Sequence, residues 1–132
     1  MDETTVDPRV NMVVDITTTG RKSGEPRRIE IWAHSFDGRL IITGSPGRRS
    51  WYANMLATPE FVYHPKHEGD WDVPAVGRPI TDEAERRATY ARLKEVSEWW
   101  ENNLVDIEGW VQGSPLVEVT LTAPETEVTR NQ

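Results

Sequence analysis

The chain of 132 residues is predicted to form one α+β domain, a small antiparallel barrel of about six strands with one short and one longer helix. Three observations predict it. Six short segments carry strand patterning, either β-branched runs or apolar–polar alternation. Their order (strand, hairpin, short helix, two strands, one helix, strand) shows neither regular βα alternation nor an internal repeat, which makes the sheet mainly antiparallel. The length allows a single core and is too short for two.

Residues 1–11 have no usable periodicity and read as a loosely packed lead-in. Residues 13–19 are β-branched apart from Asp15 and read as the first strand. Gly20 to Pro26 form the turn that ends it. In the second strand Arg28, Glu30 and Trp32 alternate with Ile29, Ile31 and Ala33, so period two puts the isoleucines on one face. Asp37-Gly38 has the composition of a tight hairpin into a third strand at 40–43. Gly44 to Gly47 break the sheet, and 49–56 read as a short helix with Pro59 just past its end. A fourth strand is expected at 60–64, a polar loop at 67–71, and a bent strand at 73–80 interrupted by Pro74 and Pro79. Residues 82–102 are predicted as one long helix. Asp82 and Glu85 have capping-box spacing, and Ala84, Ala88, Val96, Trp99 and Trp100 share its apolar face with Leu93 at the margin. Val117, Val119 and Leu121 alternate in a closing strand, and the tail from Pro124 is polar and expected to be ragged.

Hydrophobic residues make up only 36% of the chain, so the large apolar area of its six tryptophans matters to the core. It has no cysteine, which excludes a disulfide framework and a thiolate metal site and fits a cytoplasmic protein. No apolar stretch is long enough for a membrane helix, and the acidic start Met1-Asp2-Glu3 is unlike a secretory signal. A net charge of −7 argues against nucleic acid as a partner. Within it lies a basic island. Seven cations (Arg21, Lys22, Arg27, Arg28, Arg39, Arg48 and Arg49) face three carboxylates between positions 21 and 49, a local charge of about +4. Such an island suits a small anion better than a polyanion.

Two segments could carry chemistry. Thr18 to Arg27 gathers Arg21, Lys22 and Arg27, the Ser23 hydroxyl and several free backbone N–H groups around one glycine-rich turn. Phosphates and carboxylates need that chemistry, although a solvated basic hairpin would read the same way. A P-loop is excluded, because Arg21 stands where that motif needs glycine. The second segment, Thr43 to Tyr52, ends a strand in a glycine loop that opens a helix, with Arg48, Arg49 and the flat indole of Trp51. That indole could equally anchor the helix in the core. Gly44-Ser45-Pro46-Gly47 is not a nucleophile elbow, and no ordered His/Asp set accompanies it. His64, His67, Asp70 and Asp72 could be drawn as a metal cluster, but Pro65 and Lys66 oppose it and an exposed loop is the expectation.

These two segments, Thr19-Gly20-Arg21-Lys22-Ser23-Gly24 with Pro26-Arg27, then Trp51-Tyr52-Ala53-Asn54 with Pro59, resemble the deazaflavin-dependent nitroreductase family. The resemblance is firmest from Ile16 to Pro59 and runs on more weakly to Leu121. It implies a split β-barrel, coenzyme F420 as cofactor, and hydride transfer to an electron-poor organic molecule such as a quinone or enone. It further implies that Arg21, Lys22, Ser23 and Arg27 grip the cofactor's phosphate and acidic tail. Gly44, Ser45, Ser50 and Trp51 would lie along its ring and polar chain, with Thr43, Arg48 and Arg49 beside them. The chain departs from the nitroimidazole-reducing relatives in a shorter loop from Gly47 to Trp51 and in lacking tyrosine between Asn102 and Trp110.

The substrate pocket is therefore expected between Trp32, Tyr52 and Trp110, with Leu104, Val105 and Ile107 as an apolar wall and Ser45 and Tyr52 as the nameable proton donors. Trp99 and Trp100 read as a helix end packed on the barrel. FMN on the same fold, or a non-catalytic protein that binds the cofactor or an apolar ligand, are the alternatives. Monomer and homodimer both remain open.

Overall fold

Period-two alternation decides which side of each strand enters the barrel. The computed structural model describes residues 11–66, 70–122 and 129–131. In β1 (Asn11–Thr19) Val14 and Ile16 point inward, and in β2 (Pro26–Phe36) Ile31 and Ala33 do. The two pair antiparallel from Asn11↔His34 to Thr19↔Pro26. Asp37 (φ 54°) and Gly38 (φ 72°) turn β2 into β3 (Arg39–Thr43). Positive φ at both central residues is the hairpin geometry that matches strand twist, and Asp-Gly tolerates it. β3 pairs with β6 (Leu116–Leu121), β6 with β5 (Asp70–Pro79), β5 with β4 (Glu60–Pro65), and β4 returns to β1. Six antiparallel strands thus close on themselves. The interior is filled by Ile42, Phe61, Tyr63, Val73, Val117 and Val119, with Trp51 and Met55 of α1 (Ser50–Ala57) packed among them.

The opposite face of the wall is also buried. Phe36, Ile41 and Leu116 point outward from β2, β3 and β6 into a second core with Tyr90, Leu93, Trp100, Leu104 and Val111. Those residues come from α2 (Glu83–Val96), α3 (Glu98–Asn103) and α4 (Ile107–Gly113).

Three expectations are corrected here. The single helix over 82–102 is broken at Ser97, whose backbone is extended (φ −133°, ψ 121°) and whose hydroxyl accepts the Trp100 N–H. Serine caps a helix more readily than it continues one. The apolar spacing runs across the break and so conceals it. Ala84 and Ala88 are exposed, and α2 instead buries Arg86, Thr89, Tyr90 and Leu93. Within 102–110, α4 is a helix the sequence reading missed, capped by Asp106 through the Gly109 N–H at 3.0 Å. The loop expected at 67–71 gives way to strand at Asp70, and Asp70 to Asp72 pair with β7 (Thr129–Asn131) inside the supposedly ragged tail. The rest of that tail and the lead-in through residue 10 lie outside the described residues.

Arg86 fastens the helical layer. Its buried guanidinium donates to the carbonyls of Val111 (2.6 Å), Ile80 (2.7 Å), Ser114 (2.5 Å) and Trp110 (3.2 Å). Three of these belong to the C-terminal end of α4, where carbonyls lack helical partners and the helix dipole is negative. Arg86→Met keeps the stem and leaves these acceptors unmet. It is expected to lower unfolding free energy in urea by about 3 kcal/mol, whereas a change under about 0.5 kcal/mol would mean that water replaces the guanidinium freely.

Candidate functional site

The β1–β2 turn is closed by its own backbone and by Ser23. Gly24 N–H donates to Gly20 O and Gly20 N–H to Glu25 O, both at 2.8 Å, with Gly24 at φ 75°. The Ser23 hydroxyl accepts from Glu25 N–H (3.1 Å) and from Arg27 Nη2 (3.4 Å). Asn54, buried in α1, ties the turn down. Its carboxamide oxygen accepts from the Arg21 backbone N–H (3.1 Å) and guanidinium (3.0 Å), while its Nδ2 donates to Thr18 Oγ1 (3.1 Å). Arg21, Lys22, Ser23 and Arg27 therefore line one cleft with Ser50 and Trp51. No carboxylate lines it, and Lys22 has no ion-pair partner among the described residues. Three of the other four cations of the basic island are engaged elsewhere. Arg28 pairs with Asp15 (2.8 Å) and Arg39 with Glu118 (3.2 Å), while Arg49 donates to the carbonyls of Arg48 and Ser45 (2.9 Å each).

A second cleft, of about 210 Å³, lies between the outer face of β1–β3 and the helices. That is smaller than the ~300–1,000 Å³ of drug-sized sites, so it suits one flat ring system. Trp32, Trp99, Trp100 and Trp110 wall it, and Thr43, Gly44 and Ser45 form its edge. Trp100 is the centre of an edge-to-face stack, 5.0 Å from His34, 5.3 Å from Trp99 and 5.4 Å from Trp110. Trp32 and Trp99 are 50% and 42% exposed at its mouth. His34 and Asn11 also line it, both buried and hydrogen-bonded to each other at 2.8 Å. Burial pushes the His34 imidazole from 6.5 down to about 3, so it is neutral across the physiological range.

The site residues named from sequence thus divide. Six meet in the cationic cleft, and Trp32, Thr43, Gly44, Ser45 and Trp110 meet in the aromatic one. Tyr52 and Arg48 line a third depression beside Glu83 and Arg86, away from Ser45. The apolar wall expected from Leu104, Val105 and Ile107 does not form. Leu104 and Ile107 pack in the outer core and Val105 is 85% exposed, so tryptophans make the wall instead. The Thr43 hydroxyl is engaged with Pro115 O (2.6 Å) and Tyr90 Oη (2.8 Å). Asn11, His34, Thr18 and Asn54 were missed as cleft residues, and Trp99 and Trp100, read as a helix end packed on the barrel, line the aromatic cleft as well. Asn54 stood in the quoted segment, but a lone carboxamide announces no role. His64 is buried in β4 rather than on an exposed loop. It bonds Thr17 Oγ1 (2.7 Å) and Asp72 Oδ1 (2.9 Å), the order of groups in a hydrolase triad, but none of these three lines any of the clefts described.

A closed six-stranded antiparallel barrel with helices packed on its outer wall is a split β-barrel, the fold of many oxidoreductases. Residues 3–105 match the family of F420H(2)-dependent quinone reductases, and the chain belongs to that family. Solved structures agree on the fold. One described as an F420 reductase is 18% identical with a TM-score of 0.60 and 90% of each chain covered. An F420-H2-dependent reductase, FDR-A, is 25% identical with a TM-score of 0.56, covering 82% of this chain and 93% of that one. A FAD-binding protein from Mesorhizobium loti is 16% identical with a TM-score of 0.55, covering 88% and 82%. The protein is an oxidoreductase that uses coenzyme F420. No helix among the described residues is long and apolar enough to cross a membrane.

The buried imidazole has a consequence for stability. The unfolded chain protonates His34 near pH 6.5 and the folded chain does so only near 3, so stability is full above 6.5 and falls as pH drops between those values. Asp15, Asp37, Glu85, Glu108 and Glu118 have lowered values, so their contribution is present above their unfolded values and is lost in the more acidic range, from about pH 5 downward. Urea unfolding between pH 6 and 5 should show a slope of up to about 1.4 kcal/mol per pH unit that His34→Phe removes. An unchanged slope in the variant would show that His34 is already charged in the folded protein.

Proposed function

We propose that the cationic cleft holds the phosphate and acidic tail of coenzyme F420, and that the tryptophan cleft receives a quinone. The loop from Gly44 to Arg49 joins the two. The observation that carries this reading is the gathering of Arg21, Lys22 and Arg27 in a cleft without carboxylates, in a chain of net charge −7. Such cations remain together only at a cost in self-repulsion, which a bound small molecule carrying several negative charges removes. When bound, the cofactor supplies the hydride, and the protein supplies position, desolvation and charge. Arg21 is pre-aimed by Asn54, so its fork loses little freedom on meeting an anion. Lys22 acts as an unshared point charge. Ser23 and Arg27 stand on the strand side, and Ser50 offers a hydroxyl at the start of α1, whose cap residue Arg49 makes no side-chain bond to the helix. Gly44 and Ser45 sit where ring and substrate would meet. Ser45, exposed at the edge, is the hydroxyl available to hand a proton to the reduced substrate. Tyr52, in a separate depression, has no part in this reading.

FMN shares the phosphate but lacks the glutamyl carboxylates, so fluorescence titration should show tighter binding of F420. The double substitution Lys22→Ala, Arg27→Ala should remove two charge-assisted contacts, each worth about 1.5–3 kcal/mol, and weaken F420 by about a hundredfold or more. The melting temperature should barely move, because exposed turn cations contribute little to folding. Unchanged binding together with a large drop in melting temperature would make the turn structural.

Among substrates, a quinone such as menadione should be reduced with kcat/KM at least tenfold above a bicyclic nitroimidazole. A nitro group accumulates charge over two oxygens as hydride arrives and needs several donors. The cleft offers one free hydroxyl, that of Ser45; Thr43 is already bonded within the protein, and the other donors are indole N–H groups of its walls, that of Trp100 already given to Asn11. Equal efficiencies would remove the tryptophan wall as the determinant of substrate choice.

A further inference from the structure

The Asn11 carboxamide decides the state of His34, and with it what the aromatic cleft can recognise. Indole N–H is a donor only, so the Asn11 atom 3.1 Å from Trp100 Nε1 is the oxygen. The amide nitrogen then faces Ser97 Oγ at 3.0 Å, where an acceptor is available. His34 Nδ1 lies 2.8 Å from the same Asn11 oxygen, which has only lone pairs to offer, so Nδ1 carries the proton. A buried, neutral imidazole protonated on Nδ1 has a bare lone pair on Nε2. No described residue bonds Nε2, and it is not among the buried side-chain atoms sealed without a partner. Because His34 lines the cleft, that lone pair opens into it.

We infer that His34 is a specificity-determining residue, whose Nε2 accepts a hydrogen bond from an O–H or N–H on the substrate ring system. The cleft thereby favours quinones that bear a neutral donor substituent over the same ring bearing a methyl group. A bare quinone carbonyl gains nothing from this nitrogen, since two acceptors cannot bond. Trp100 and Ser97 are positioning residues that act through Asn11. This inference rests on the reading of the tryptophan cleft as the quinone site.

Two measurements on the cofactor-free full chain test it. The first is NMR of protein carrying isotope-labelled histidine, with His34→Phe used to assign the resonance. A protonated Nδ1 and an unprotonated Nε2 are expected; the opposite tautomer, or an imidazolium at neutral pH, would overturn the inference without any ligand or variant fold at stake. The second is tryptophan quenching by menadione and by its hydroxymethyl analogue. Wild type should bind the analogue about fivefold more tightly, the worth of one net hydrogen bond, and His34→Phe should bring the ratio near one. Binding of both without preference would overturn the role of His34. Failure of either compound to quench would instead overturn the cleft as a quinone site, leaving the tautomer measurement to judge the imidazole.

Discussion

Over β3, the end of β2 and the start of β6 the barrel wall is buried on both sides, and that constraint organises the rest of the molecule. An antiparallel sheet usually leaves one face to water. Here β2 changes neighbours along its length. Arg28 and Glu30 face solvent at one end, whereas two and four residues beyond Trp32, on the same side, His34 and Phe36 are covered by the helical layer. Polar groups caught under that layer need partners, because an unmet buried donor or acceptor costs about 1–3 kcal/mol. Asn11, His34, Ser97 and Trp100 satisfy one another, and Thr43 satisfies itself against Tyr90 and Pro115. The aromatic cleft is the place where the helices stop covering the wall, and its polar floor is the uncovered edge of this network.

Charge is distributed by the same logic of pairing. Arg78, Arg87 and Arg92 each bridge two carboxylates on the exposed helical side, at 2.6–3.1 Å. Exposed bridges of this kind add little stability. Carboxylates committed to Arg39, Arg78 or Arg87 are not free to pair with the cations of the first turn. The acidic excess of the chain thus coexists with a locally positive cleft at the first turn, which on the proposed reading draws an anionic cofactor toward it.

Much of the barrel could be read from the chain because its signals are local. Asp37-Gly38 turned where its composition demanded, and the inward set of β1, β2 and β6 followed period two. The Arg21–Arg27 turn was legible for the same reason, being a run of chemistry within one loop. The illegible parts depend on contacts far apart in sequence. Arg86 looks like any surface cation on a helix until the end of α4 is folded against it. The break at Ser97 preserves apolar spacing, so periodicity passes straight through it. Asn11 sits at the close of an unpatterned lead-in, and its partners are 23, 86 and 89 residues away. Tyr52 shows the converse error, since neighbours in sequence on α1 point to different clefts.

A cleft of tryptophans with a neutral histidine at its floor also constrains the proton that must accompany a hydride. Addition of hydride to a quinone leaves a negative oxygen that needs one proton to become neutral. His34 holds its proton on Nδ1 against Asn11 and cannot deliver it from Nε2. The Thr43 hydroxyl already donates to Pro115 O, and the Trp100 N–H to Asn11. The interior side of the cleft is therefore without a deliverable proton. The open side differs, with Ser45 exposed and Trp32 half exposed, so water reaches the edge where Gly44 and Ser45 lie. An oxygen directed to that edge can be protonated through Ser45 or from solvent, whereas one directed at the floor would stay charged in an apolar, unsolvated place. On the proposed reading of this cleft, a quinone lies with its reducible carbonyl outward and its substituted end inward, toward the lone pair of His34.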